Sequence, residues 1–125
     1  MDTRYRILIV EDENPYAQAL KFFLERHGFD VVVAMNGLQA FAELRRQDVA
    51  LILLDVKMPG LDGYDVCAAL KADPVFGSIP VIFLTSEDDH DSVGEGLRVG
   101  AVDYLSKGAP KERLLESFQA QFATP

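Results

Sequence analysis

The chain has one cysteine, Cys67, so no disulfide framework holds it together. That thiol reads as a small buried hydrophobe on a helix in preference to a reactive group. No apolar run approaches the roughly 20 residues that cross a bilayer as a helix. The N-terminal stretch MDTRYR leads into only four strongly apolar residues before acids begin, which is not the pattern of a signal peptide. Basic residues are few and scattered, 12 against 20 acids, and the net charge is −8. Such a surface repels a duplex nucleic acid, and no local patch offsets it. Neither G-x-x-x-x-G-K-[ST] nor G-x-G-x-x-G occurs, which argues against a nucleotide site. These absences point to a cytoplasmic domain that binds neither membrane nor nucleic acid directly. The excess of acid alone is also what solubility asks for.

What is present fits one domain over residues 1–125. That length buries a core without disulfide or structural metal. Hydrophobic residues make up 49% and charged residues 26%, an ordinary globular balance. Apolar runs of strand length recur five times, at 7–10, 31–34, 51–54, 81–84 and 102–105. The first, third and fourth are continuous and not alternating, as in strands covered on both faces. Helical signals lie between them. Asn14-Pro15 supplies an N-cap and a proline at the first helical position. Tyr16, Leu20, Phe23, Leu24 and His27 form a stripe that Gly28 ends. Asn36 with Gln39 reads as a capping box, with Leu38, Phe41 and Leu44 as the apolar face. Asp62-Gly63 opens a third helix with Val66, Cys67 and Leu70 inward. A fourth helix is expected over 88–99, and a fifth over 111–122 with Leu114, Leu115, Phe118 and Phe122 in register. Strand and helix alternate with short connections. The pattern predicts an α/β fold, a doubly wound parallel sheet of five strands with helices on both faces.

In such a sheet, ligands bind beyond the carboxyl ends of the strands. Glu11 and Asp12 follow the first strand, Asp55 the third, Thr85 and Ser86 the fourth, Ser106 and Lys107 the fifth. Taken singly, each is ordinary: an acid after a strand caps a helix, Thr-Ser makes a turn, a lysine is solvated. Their conjunction at four strand ends carries the weight. Three converging carboxylates repel one another and raise one another's pKa, which a divalent cation relieves. An all-oxygen set with no His or Cys nearby suits Mg2+, Mn2+ or Ca2+. Carboxylate, metal, lysine and hydroxyl together match the needs of phosphoryl transfer, with Asp55 as nucleophile.

Four stretches, ILIVEDE (7–13), LILLDVKMPGLDGYDV (51–66), PVIFLTS (80–86) and GAVDYLSKG (100–108), then carry a resemblance. The chain resembles the receiver domain of two-component response regulators, over nearly its whole length. The resemblance implies the flavodoxin-like strand order 2-1-3-4-5 and a signalling switch, not a turnover enzyme. It implies that Asp55 accepts a phosphoryl group from a sensor histidine kinase or a histidine phosphotransfer protein. Asp12, Asp55 and the backbone carbonyl of Lys57 would ligate Mg2+, with Glu11 acting through a water. Thr85 would be the switch hydroxyl, Lys107 the lysine that pairs with the phosphoryl group, and Tyr104 the switch aromatic. Pro59 and Gly60 would shape the loop after Asp55. Thr85 and Lys107 are expected to gain a partner on phosphorylation and to draw Tyr104 inward; the bland reading of Tyr104 is a half-buried ring with its hydroxyl in water. The face of the fourth helix, fifth strand and fifth helix is the family's usual surface for a homodimer or an output partner. The fourth helix, with Gly94, Gly96 and terminal Gly100, is expected to be the least stable. Lys107 is followed here by Gly108 and not by the usual proline, which leaves that bond open as cis or trans. Ser86 stands in place of the family's common alanine, and the resemblance implies that Lys57 and Glu87 occupy positions that would tune phosphoryl loss.

Other readings have specific discriminators. A haloacid-dehalogenase-type phosphatase wants a second aspartate two residues after the first, where this chain has Lys57. Flavin binding would set a phosphate loop against the acids after the first strand. A binding module that no longer uses phosphate has no need of Asp12, Asp55, Thr85 and Lys107 together. The chain reads equally as a stand-alone shuttle or as the N-terminal part of a longer regulator.

Overall fold

The structure is a computed structural model and describes residues 4–58, 61–86 and 97–122. Its main sheet contains β1 (Arg6–Val10), β2 (Asp30–Ala34), β3 (Leu51–Asp55), β6 (Val81–Thr85) and β7 (Asp103–Ser106), all parallel, in the order β2-β1-β3-β6-β7. Helices α1 (Asn14–Arg26), α2 (Gly37–Arg46) and α3 (Gly63–Ala72) and the C-terminal helix Glu112–Phe122 complete the frame. The continuous apolar runs became the three central strands. Every residue of β3 and β6 is buried, and so are the last four of β1. Outer strands β2 and β7 are only partly buried, with half-buried residues outnumbering buried ones, because only one neighbouring strand covers each edge.

Side chains of one strand point alternately to opposite faces, so the sheet divides the core in two. Leu8, Val10, Ile52, Leu54 and Phe83 face α2 and α3, where Ala40, Leu44, Val66, Cys67 and Leu70 meet them. Ile7, Ile9, Leu51, Leu53, Ile82 and Leu84 face the other way, against Leu20 and Leu24 of α1 and Leu114 and Phe118 of the C-terminal helix. Cys67 is wholly buried, as its placement among apolar neighbours suggested.

The helix ends bear out some local signals and correct others. Asn36 caps α2, its Oδ1 accepting from Gln39 N–H at 2.9 Å. Gln39 Oε1 accepts from Met35 N–H at 2.8 Å, one residue beyond the N-cap N–H that a regular capping box uses. Asp62 caps α3 through Tyr64 N–H at 2.8 Å. For α1, the cap is Glu13 and not Asn14: the Glu13 carbonyl accepts from Ala17 N–H at 2.9 Å, and its carboxylate caps nothing because it is turned to Lys107. Gly28 ends the helix at φ 91°, a conformation open to glycine and strained for other residues. Leu38 is not on the apolar face of α2; it is 86% exposed. At 100° per residue it lies nearly opposite Ala40, and the buried stripe runs through Gly37, Ala40 and Leu44.

Strands β3, β6 and β7 each run one residue further than the apolar pattern, so Asp55, Thr85 and Ser106 are the last residues of strands. A two-residue antiparallel ladder, β4 (Lys57–Met58) with β5 (Leu61–Asp62), occupies what read as a loop. The expected roles of Pro59, Gly60, Glu87, Gly94 and Gly96, and most of the fourth expected helix, fall outside the described residues. No helix among the described residues is long and apolar enough to cross a membrane.

Candidate functional site

Strand order reverses between β1 and β3, and polar side chains collect just beyond their carboxyl ends. Glu11 leaves β1 and is fixed by its own N–H, which donates to the Ala34 carbonyl of β2 at 2.9 Å. Asp55 ends β3 in register with Leu84 of β6. Carboxylate oxygens of Glu11, Asp12 and Asp55 lie within 4.8 Å of one another. Glu11 is 1% exposed and Asp55 4%, while Asp12 is half-buried and open to solvent.

Lys107 arrives from the loop after β7, where its N–H donates to the Thr85 carbonyl at 2.7 Å. Its Nζ lies 2.6 Å from Glu11 Oε1, 3.2 Å from Glu13 Oε1 and 3.5 Å from Asp55 Oδ1. The Glu11 contact is a close ion pair and not an aligned hydrogen bond, and Glu11 Oε2 accepts from Glu13 N–H at 3.0 Å. Three carboxylates already hold the ammonium, and Thr85 has contacts of its own. Buried like charge needs a counter-charge, and this lysine supplies one. The Lys107–Gly108 bond is trans.

The electrostatics follow from burial. Asp55 is pushed from 3.8 up to about 6, first by burial and then by the Glu11 carboxylate, with Lys107 and the Lys57 N–H opposing. Burial pulls the Lys107 ammonium down, but Glu11, Asp55 and Glu13 outweigh it and its pKa is raised. Lys57 N–H donates to Asp55 Oδ1 at 3.4 Å and so steadies one oxygen of the acid.

Thr85 is buried at the end of β6, paired in register with Ser106. Tyr104, on β7, is half-buried: its ring packs 5.9 Å from Phe83, and its hydroxyl meets that of Tyr64 at 3.2 Å. The hydroxyl is thus paired with a protein group and not simply left in water.

Three neighbours carried no sequence signal as site residues. Glu13 read as an ordinary acid at a helix start. Tyr16 read as part of a core stripe, yet Lys107 Nζ stands 4.8 Å from the centroid of its ring. Its hydroxyl is pushed up to about 12, chiefly by burial. Gly63 read as a helix opener, but a Cβ there would stand 2.3 Å from the Asp55 carbonyl oxygen. The start of α3 can press against the end of β3 only because that residue is glycine.

As a donor set, three clustered carboxylates and no soft ligand fit a hard divalent cation such as Mg2+, bound with retained waters. The acidic volume also holds an acid with raised pKa, which a cation would bring down again.

Comparison with known proteins defines the class. Residues 7–119 match the response regulator receiver domain. The chain is 38% identical to the DNA-binding response regulator MtrA of Mycobacterium tuberculosis over 122 residues, which is 97% of this chain and 52% of that protein. The fold superposes on the receiver domain of Klebsiella pneumoniae RstA with a TM-score of 0.87 at 31% identity, covering 95% of this chain and 99% of that one. It superposes on the chemotaxis protein CheY4 of Vibrio cholerae with a TM-score of 0.89 at 28% identity, covering 96% and 100%. The chain belongs to the response regulator receiver domain family, and so to the signalling proteins of two-component systems. It spans about half the length of the curated relatives it matches.

Proposed function

We propose that the chain is a phosphorylation-dependent switch in which Asp55 accepts a phosphoryl group from the phosphohistidine of a sensor histidine kinase or a histidine phosphotransfer protein. The observation that carries this reading is the buried Asp55 carboxylate set between two further acids and one ammonium, from three different strand ends. An Asp55 oxygen bonds to phosphorus as the N–P bond breaks, and the electron pair passes to the departing imidazole. Mg2+, when bound, supplies neutralisation of charge on the transferring group. Asp12, Asp55 and the Lys57 carbonyl would hold it, with Glu11 acting through a water. Lys107 has a short distance to travel, since it already lies 3.5 Å from Asp55. Trading its Glu11 contact for a phosphoryl oxygen keeps the charge paired throughout. The Thr85 hydroxyl donates to another phosphoryl oxygen.

The product carries roughly two negative charges where Asp55 carried one. Thr85 moving toward the new group, and Lys107 with it, shifts the loop after β6 and lets Tyr104 settle further inward against Phe83. The face that reads this change is β7 with the C-terminal helix and the helix expected over 88–99, which would contact a second copy or an output partner. Hydrolysis of the acyl phosphate resets the switch. The protein thus catalyses only its own phosphorylation and dephosphorylation, within a single domain over 1–125 in the cytoplasm. Direct binding of nucleic acid or membrane is not part of this domain's action; the net charge of −8 supports that for nucleic acid.

The test is incubation with a small phosphodonor and Mg2+, followed by intact mass. One phosphoryl group should be gained, and Asp55→Asn should abolish it. Turnover of external phosphomonoesters, or a mass that never changes, would defeat the proposal.

A further inference from the structure

Lys107 is held in an unusual way. Its side chain is 10% exposed and its ammonium faces three carboxylates, yet the nearest two belong to Glu11 and Glu13 and the farthest to Asp55. A lysine stem is long and its ammonium rotates freely, so contacts alone do not hold it over Asp55. Glu13 is 64% exposed and offers an easy route out toward solvent. On the α1 side the ammonium stands over the ring of Tyr16, 4.8 Å from its centroid.

The ring is well placed to act as a wall. Tyr16 sits in the first turn of α1, whose start is stiffened by Pro15. It is half-buried and packs against the core face that holds Leu84, Leu105 and Leu114. A face-on aromatic attracts a cation through its quadrupole, and does so more strongly where water is displaced. An aliphatic residue of the same bulk would fill the space and lack the attraction.

Building on the reading of Lys107 as a phosphoryl contact, we infer that Tyr16 is a positioning residue for phosphoryl transfer: its ring keeps the Lys107 ammonium in the acidic mouth, within reach of the group on Asp55. The ring replaces water on one side of the ammonium, so the charge stays poorly screened where the phosphoryl oxygens arrive. It also lets Lys107 slide from Glu11 toward Asp55 along one surface without leaving a favourable contact. Tyr16 itself touches neither the phosphorus nor Asp55, and acts only through Lys107.

The experiment compares wild type, Tyr16→Phe, Tyr16→Met and Tyr16→Leu in two ways. The first is the rate of Asp55 phosphorylation by acetyl phosphate at saturating Mg2+. Tyr16→Phe should stay within about twofold of wild type, because the ring remains, whereas Tyr16→Met and Tyr16→Leu should lower the maximal rate about tenfold. The half-saturating donor concentration should not move. In a Lys107→Met background the Tyr16→Met loss should vanish. A loss of equal size in that background means packing alone and overturns the inference, as does a Tyr16→Phe loss equal to that of Tyr16→Met. The second readout needs no phosphorylation: the Lys107 ε-methylene protons should be shifted upfield by the ring in wild type and Tyr16→Phe, and released in Tyr16→Met. Unshifted protons in wild type overturn the placement. A wild type that takes no phosphoryl group while showing the shift overturns the Lys107 role on which the inference rests, and leaves the ring–ammonium contact standing as structure only.

Discussion

Replacing the buried acid at the centre of the site should make the metal-free protein more stable. Asp55 is 4% exposed, and its pKa rises from 3.8 to about 6 through burial and the Glu11 carboxylate. The folded state therefore binds the proton more tightly than the unfolded state does. For such a group, stability falls as pH rises from about 4 to about 6, and the full cost stands above that window. The rise amounts to about 3 kcal/mol at pH 8 and about 1 kcal/mol at pH 4.5. Asp55→Asn removes the charge and keeps the shape. Lys107 is not orphaned by the change, since Glu11 and Glu13 still hold it at 2.6 and 3.2 Å. The variant should gain about 2–3 kcal/mol over wild type at pH 8, or about 10 °C in melting temperature for a domain of this size. The gain should shrink by about 2 kcal/mol on going to pH 4.5. Urea unfolding followed by circular dichroism, in EDTA at both pH values, measures it. A variant less stable than wild type at pH 8, or a gain that ignores pH, would refute the reasoning, because either result means that the charge on Asp55 is not what strains the fold.

Other outcomes follow from the same geometry. Millimolar Mg2+ should raise the melting temperature of wild type, and Asp12→Asn should remove most of that rise in a thermal titration, with Ca2+ as the comparison ion. Gly63→Ala places a Cβ 2.3 Å from the Asp55 carbonyl oxygen, so it should cost about 1–3 kcal/mol by urea unfolding. It should also slow phosphorylation, since the end of β3 must shift. Tyr64→Phe breaks the 3.2 Å hydroxyl pair with Tyr104 and should cost about 0.5–1.5 kcal/mol. A change in Tyr104 ring resonances that outlasts repair of stability by a stabilising solute would show that the pair also sets the ring's position.

Much of the frame was legible because it rests on local, repeating signals. Continuous runs over 7–10, 51–54 and 81–84 read as central strands since burial on both faces leaves no reason for polar residues there. Asn36 and Asp62 were legible as caps, because a short acceptor one residue before a helix acts within its own turn. Glu13 was not, because its carboxylate answers a lysine 94 positions away and leaves the cap to its backbone. Leu38 was misplaced for a smaller reason. Near a helix start, apolar character without the right angular position says nothing about burial. The short ladder of Lys57–Met58 with Leu61–Asp62 gave no pattern, since two residues are too few to show a period.

Sequence alone determined the α/β alternation, the identity of the acids at the strand ends and the hydroxyl and lysine that accompany them, because each sits at a fixed offset from a run of buried residues. Only the tertiary structure decided how those groups share one volume. It set Lys107 nearer to Glu11 than to Asp55, brought Glu13 and the Tyr16 ring to the same ammonium, and required Gly63 behind Asp55. Such distances depend on how strands far apart in the chain register side by side, and Coulomb and packing energies change steeply over the few ångströms that separate one arrangement from another.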